Sequence, residues 1–549
     1  MRSILPLLLL ATLISLMSAQ PCDLILTNAK IWTVDPAHPE AEAVAVWQGR
    51  IIAVGSANDI LKLRTPSTTV LDVHGKRVLP GFIDDHTHFM EGGFQLQSID
   101  LRDAADAQEF ARRIAERVKK YPGRWVTGGD WDHDRWPGGR LPTKQIIDGV
   151  APNTPVFVRR YDWHMAVANS HALELAKITK ETPDPPGGTI VKDPVTGEPT
   201  GLLKDEAMSL VYAHIPDPSE EERLEAAEVA LKEARTWGVT SIQDVSSRYD
   251  LATFRTLRDR GKLTARFHCR LPLWQWKDLK EVGVRVPFGD EWLRIGSLKA
   301  FVDGSLGSST ALFFDKYVSE DTKGLPMDVV LDGRLEQWAR SADSAGLQLS
   351  IHAIGDSANS WLLDLFETIA QTNPAWDRRF RIEHAQHIHP NDFARFAKLG
   401  VIASAQPYHA IDDGRWAEKR IGRERCKTTY AFRTFLDNNV HLSFGSDWTV
   451  APMNPLWGIY AAVTRRTTDE ANPGGWFPEQ KISVNEAIAC YTINNAYAVF
   501  EENEKGSITV GKLADLVVLS EDILTIDPVR IEHVLVDMTI VGGTIVHQR

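Results

Sequence analysis

Val78-Leu-Pro-Gly-Phe-Ile-Asp-Asp-His-Thr-His88 is an apolar run that ends in two histidines. On an extended chain a two-residue spacing puts His86 and His88 on one side. The pair alone is weak evidence, because 17 His in 549 residues produce about half of one such pair by chance. Outward from it, short apolar runs recur between stretches of helical length. They are Gly238-Val-Thr-Ser-Ile-Gln-Asp244, Ile295-Gly-Ser-Leu-Lys-Ala-Phe-Val-Asp303, Leu347-Gln-Leu-Ser-Ile-His-Ala353, Phe380-Arg-Ile-Glu-His-Ala385, Val401-Ile-Ala-Ser-Ala-Gln-Pro407 and Val440-His-Leu-Ser-Phe-Gly-Ser-Asp447. An amphipathic helix over Glu220–Thr236 precedes the first of these. This alternation predicts an α/β fold with a parallel sheet, open or closed into a barrel.

Polar residues fall at the ends of the runs. His352, His384 and Asp447 each close one, and Lys299 lies within another. In a parallel barrel every C-terminal strand end reaches one rim, where active sites are built. Four His and an Asp converging there form a nitrogen- and oxygen-rich donor set. That set suits Zn2+ or another first-row divalent metal and is a poor match for calcium. Desolvation of Lys299 in an apolar strand favours its neutral amine. Such an amine can add CO₂ to give a carbamate able to bridge two ions; the other reading is a buried Lys paired with Asp303 or another acid. Asp447 can bind metal and shuttle a proton, or cap a helix N-terminus.

The two chain ends share a texture of short strands. Asp23 to Asn28, Ala41 to Trp47 and Gln48 to Gly55 are strand-like, with Gln48-Gly49 as a hairpin turn. Ala514 to Ser520, His533 to Asp537 and Thr539 to Val546 repeat the pattern across Gly542-Gly543. Two separate β patches would each expose edges, so residues 22–78 and 501–549 are expected to pair into one small β-sandwich. Residues 79–500 form the barrel, interrupted by an insertion at about 92–235 over one of its faces. That insertion is rich in Trp, Gly, Pro and Asp, with a non-helical loop from Thr182. From it, Trp131, Asp132, Trp163 and His164 are substrate-binding candidates, joined by Gln406 and His409 of Gln406-Pro-Tyr-His409.

Residues 1–19 carry Arg2, the apolar run Leu7 to Leu16 and the small pair Ser18-Ala19. They predict a bacterial signal peptide and a periplasmic or secreted product, although Met17 departs from the small-residue cleavage pattern. The apolar run is short for a membrane span, and no stable membrane insertion is expected. A net charge of -12 without a basic run argues against a nucleic-acid partner. Cys22, Cys269, Cys426 and Cys490 are too far apart for a CxxC site, and their spacing does not select a disulfide pairing.

Pro80-Gly-Phe-Ile-Asp-Asp-His-Thr-His88, Lys299-Ala-Phe-Val-Asp-Gly-Ser-Leu-Gly-Ser308, Ile351-His-Ala-Ile-Gly-Asp356, Arg381-Ile-Glu-His-Ala-Gln386 and Gly445-Ser-Asp447 together resemble the amidohydrolase superfamily. The branch they resemble is amidohydrolase-3, with its N-substituted formamide deformylases and YtcJ-like proteins. The resemblance implies a distorted (β/α)8 TIM barrel with an inserted domain, a β-sandwich split between the chain ends, and a metal centre on the C-terminal rim. It implies one metal on His86, His88 and Asp447, a second on His352 and His384, and carbamylated Lys299 as a bridge. The implied reaction is hydrolysis of a non-peptide, amide-like C–N bond by metal-activated hydroxide. Asp447, Lys299 and His384 are the catalytic candidates, and a homodimer is the implied assembly. Cyclic-amide hydrolysis, ester hydrolysis, deamination on the same centre and a non-catalytic binding protein are the competing expectations.

Overall fold

The computed structural model describes residues 22–160, 164–318 and 320–549. The expected signal peptide, residues 1–19, and the candidate Trp163 lie outside the described residues. The chain forms two compact units, one running to His88 and resuming at Leu231, the other Phe89–Ala230.

The first unit contains the barrel. Its strands in chain order are β1 Phe82–Thr87, β2 Val239–Val245, β3 Arg266–Pro272, β4 Leu293–Phe301, β5 Leu349–Ala353, β6 Arg381–His384, β7 Ile402–Ala405 and β8 Leu442–Phe444. Each pairs parallel with its sequence neighbour. Between β8 and β1 a side chain closes the seam. The Asn495 carboxamide donates to Ile83 O at 2.5 Å and Phe444 O at 2.7 Å, and accepts from Phe444 N at 3.1 Å. Beyond the strand ends, Asp447 N donates to His86 O and His88 N to Trp448 O, each at 2.7 Å. The closing helices bury apolar faces such as Leu362, Leu363 and Phe366 of Asp356–Thr372 against the strands in one continuous core. Close packing of this kind ties helix positions to strand positions, so the rim loops start from fixed points.

Both chain ends meet in the sandwich of this unit. One sheet holds Arg50–Gly55, Ala43–Trp47, Leu24–Thr27 and Thr69–Asp72. The other runs Thr544–Gln548, Val536–Val541, Leu516–Leu519, Arg77–Pro80, Lys30–Trp32 and Glu40–Ala41. Leu516–Leu519 pairs antiparallel with Arg77–Pro80, which covers the edge that each end would otherwise expose. Both hairpins turn on two residues in the left-handed region, Gln48-Gly49 at φ 47° and 76° and Gly542-Gly543 at φ 54° and 74°. Paired positive φ values match the twist of the flanking strands and favour glycine. The strand expected from His533 begins instead at Val536, after a 3₁₀ turn over Pro528–His533. Ile531 and Val534 are drawn from that turn into the barrel core.

The second unit has its own mixed sheet, ordered Gly188–Lys192, Pro199–Asp205, Met165–Ala168, Val156–Arg160, Val126–Trp131 and Ile99–Asp100. Helix Ala107–Lys120, capped by Asp106, presses Phe110 and Ile114 into its core. The four cysteines are buried and unpaired. Among the described residues no helix is long and apolar enough to cross a membrane.

Candidate metal centre

Beneath the rim, the barrel interior carries a layer of fully buried charge. Glu383 of β6 takes ion pairs from Arg270 of β3 at 2.8 Å and Arg381 of β6 at 3.0 Å. It also accepts from Ser404 Oγ of β7 at 2.9 Å and from Ser350 Oγ of β5. Arg381 reaches Asp85 of β1 at 3.2 Å. Burial opposes ionisation of Glu383, and the Arg270 and Arg381 guanidiniums overcome it, holding the carboxyl well below its usual range. A buried charge of this kind persists only when paired and hydrogen-bonded.

That layer orients the imidazoles above it. The Glu383 carboxylate accepts from His86 Nδ1, so the His86 lone pair sits on Nε2. The Gln406 Oε1 accepts from His384 Nδ1 at 2.8 Å, which leaves the lone pair on His384 Nε2. The Gly304 carbonyl accepts from His352 Nε2 at 3.0 Å. The remaining His352 nitrogen, Nδ1, is buried with no hydrogen-bond partner among the described residues. Three imidazoles are thus each tied through one nitrogen and present a lone pair on the other. Burial holds all three neutral, driving His352 down to about 3 and His86 and His384 well below the usual range. Neutral imidazole is the form that binds metal, and an acceptor on its far nitrogen fixes the ring.

His86 and His88 project together from the end of β1. His88 Nε2 is 3.3 Å from Asp447 Oδ1, and His86 Nε2 is 3.7 Å from the same oxygen. Ligand atoms of His86, His88 and Asp447 all lie within 4.8 Å of one another. The His384 ring centroid is 5.0 Å from that of His86 and 4.4 Å from that of His352. Lys299 Nζ is 3.3 Å from His86 Nε2, and burial lowers the amine to about 7. Burial opposes the charge on Asp447, but the His88 hydrogen bond and the neighbouring imidazoles keep it well below the usual carboxylate range.

Backbone strain accompanies the convergence. Glu383 points inward, so strand alternation would send His384 outward. Its φ of 71°, followed by 41° at Ala385, breaks the extended run and turns the ring back. Asp447 has φ 56°. Non-glycine residues in this region cost of order 1–3 kcal/mol each and persist where surrounding structure over-determines them. Here Asp84 supplies the bracing. Its carboxylate accepts from His86 N at 3.1 Å, Ser446 N at 2.9 Å and Ser446 Oγ at 2.6 Å, joining the His86 and Asp447 segments.

The substrate candidates fare differently. Trp131 is fully enclosed in the core of the second unit, its Nε1 donating to Val158 O at 2.8 Å. It is a packing residue there, a correction to the expectation of ligand contact. Asp132 stands 3.8 Å from Arg160, and the exposed His164 bonds Asp205 at 2.9 Å. Gln406 is fully buried and orients His384, so it acts through that ring and not as a surface for ligand. His409 lies close enough to Asp447 and Asp413 to bias the ionisation of both. Reading strand ends passed over Asp84, Asp85, Arg270 and the role of Glu383. The available signal was acidic and basic residues inside otherwise apolar strands.

A closed parallel barrel with lone-pair imidazoles and a carboxylate on its C-terminal rim is the architecture of the metal-dependent barrel hydrolases. The model described as "Amidohydrolase family" matches residues 69–547, and the chain belongs to that family. The Arabidopsis thaliana Protein LONG AFTER FAR-RED 3 is 40% identical over 514 residues, 91% of this chain and 87% of its own. The N-substituted formamide deformylase of Arthrobacter pascens is 30% identical over 545 residues, 96% and 98% of the two chains. The crystal structure of an uncharacterized metal-dependent hydrolase from Pyrococcus furiosus has a TM-score of 0.76 at 29% identity, covering 92% of this chain and 100% of its own.

Proposed function

We propose that the chain hydrolyses a non-peptide, amide-like C–N bond, an N-substituted formamide or a related N-acyl amine, with divalent metal held at the rim. The observation that carries this reading is the set of three imidazoles, each tied through one nitrogen and leaving the other outside that hydrogen bond, with His352 Nδ1 buried and unpartnered among the described residues. His86, His88 and Asp447 would hold one ion, and His352 with His384 a second. Zinc suits this nitrogen–oxygen donor set. A bound ion supplies Lewis acidity, which polarises the scissile carbonyl and makes water acidic enough to attack at neutral pH.

The chain's own groups handle protons and position. Asp447, kept ionised beside His88, takes the proton of the attacking water on its carboxylate and returns it to the leaving nitrogen. Glu383 and Gln406 hold the His86 and His384 rings in one tautomer through the cycle. Lys299, with its amine lowered to about 7, is partly neutral at neutral pH; that fraction could bond CO₂ with release of one proton, and the carbamate would add an oxygen donor to the set. The 30% identity to a formamide deformylase over 96% of the chain supports an N-formyl or N-acyl substrate.

Metal content per chain tests this reading. Protein expressed with added bicarbonate and zinc is expected to hold about two ions per chain, and Lys299→Ala is expected to lower that number. One ion, unchanged by the substitution, would make Lys299 structural. No ion after reconstitution would overturn the hydrolase reading.

A further inference from the structure

Between the C-terminal ends of β3 and β4 lies a cavity of about 690 Å³, within the size range of small-molecule sites. Its wall is apolar. Leu273 and Trp274 follow β3, Phe301 ends β4, Leu325 and Met327 come from the loop after β4, and Trp338 from helix Arg334–Ser344. Lys299 and Gly304 also line the cavity. These same residues face the donor cluster, Lys299 Nζ toward His86 and the Gly304 carbonyl toward His352. Phe301 stands at the junction, its ring centroid 5.1 Å from the His352 ring and 4.9 Å from Lys299 Nζ. Lys299, Phe301 and Gly304 therefore belong both to the cavity wall and to the surroundings of the candidate centre.

Its wall is also exposed. Trp274 is 57% accessible, Leu325 63%, Met327 39% and Phe301 36%. Folding ordinarily buries such side chains, and a concentration of them around a catalytic rim marks a surface that a ligand covers. Among the lining residues the ionisable groups are Lys299, which faces the centre, and the solvent-exposed Asp328. A charged ligand group would find no buried counter-charge along the apolar wall, whereas an alkyl or aryl group would displace water from it.

We propose that this cavity receives an apolar arm, an alkyl chain or aromatic ring, attached to the amide cleaved at the centre; the inference rests on the hydrolase reading above. A substrate with its carbonyl at the donor cluster lays this arm over Phe301 and into the space between Trp274 and Trp338. The arm supplies binding energy that a small amide lacks, and the cavity selects for its size.

The metal-loaded full chain is assayed on two matched pairs, which place the arm on either side of the bond. They are N-hexylformamide against N-methylformamide, and N-methylheptanamide against N-methylacetamide. In one pair the longer member is expected to show a kcat/KM at least about tenfold higher, the scale of discrimination that an apolar pocket provides. Combining Trp274→Ala with Leu325→Ala is expected to reduce that ratio about tenfold. Equal kcat/KM within both pairs, or a ratio untouched by the double substitution, overturns the cavity assignment and leaves hydrolysis standing. If none of the four amides is turned over, hydrolysis of this substrate class fails, and calorimetric titration with N-hexylformamide decides the cavity separately. Saturable binding that is lost in Met327→Arg supports it, and absence of saturable binding overturns it.

Discussion

Asp447 and Glu383 are both buried carboxylates, and their neighbours give them different work. Glu383 neutralises Arg270 and Arg381 and steadies His86 from below. Asp447 sits among the imidazoles instead, 3.3 Å from His88 Nε2 and 3.7 Å from His86 Nε2. Asp447→Asn is expected to abolish turnover of an N-formyl amine while the melting temperature stays near that of the parent. Glu383→Gln is expected to cost about 3–5 kcal/mol of stability, because buried Arg270 loses its carboxylate partner and Arg381 keeps only Asp85. Thermal unfolding and kcat, measured on both variants, separate the roles; full activity in Asp447→Asn would remove that residue from proton transfer. At this scale His86, His88, His352 and Asp447 were legible as polar residues closing apolar runs. The orientation of His384 was not, since strand alternation predicts the opposite face and a positive φ decides. Trp131 was misread because an aromatic ring serves a core as readily as a pocket.

At the level of elements, helix Ile493–Ala498 does the work that backbone hydrogen bonds do elsewhere in the barrel. Asn495 bridges β1 and β8, and both strands reach solvent-excluded groups that no ladder satisfies. Asn495→Ala is expected to destabilise the barrel by about 3 kcal/mol, through buried carbonyls and an amide left unpaired. Urea midpoints check the size, and faster amide exchange at Phe444 checks the location. The same helix accepts a hydrogen bond from His441 Nε2 at the Asn494 carbonyl, 2.9 Å away, and the Tyr497 ring packs against the imidazole, tilted by 33° with centroids 4.2 Å apart. Burial lowers His441 to about 4. Above about pH 6.5 the ring is neutral in both folded and unfolded chains and contributes no pH dependence. Below that value the unfolded chain takes up the proton first, so stability falls between about pH 6.5 and 4 by up to about 3 kcal/mol. His441→Gln is expected to make this fall shallower; an identical pH profile would remove His441 as a source. Nothing in the run Val440 to Asp447 announced this, because the desolvating partners come from Asn494 and Tyr497.

Across the molecule, the two chain ends depend on each other. Leu516–Leu519 covers Arg77–Pro80, and Asp515 pairs with the buried Arg266 of β3 through both oxygens, at 2.8 and 3.0 Å. Deleting residues 514–549 would leave an unpaired apolar edge containing Val78 and Leu79, together with an uncompensated guanidinium. The truncated chain is expected to elute as soluble aggregate or to be recovered insoluble, and a monodisperse truncated peak in size-exclusion chromatography would show that the edge is dispensable. The similar texture of the two ends made their pairing predictable. The strand order within the six-stranded sheet was not predictable, since every short apolar strand there satisfies the same alternation.

The sequence by itself determined the alternating barrel, the rim on which chemistry collects and the donor types present there. These are properties of local pattern, of which face a residue takes and where a strand ends. Tertiary structure alone decided which nitrogen of each imidazole is tied by Glu383, Gly304 or Gln406, which carboxylate anchors the buried arginines and which sits among the imidazoles, and which residues of an apolar cavity border them. Each depends on residues far apart in the chain: His86 and Glu383 are separated by 297 positions, and Lys299 and His86 by 213. Desolvation and hydrogen-bond geometry arise only when such segments are brought together, so no local pattern records them.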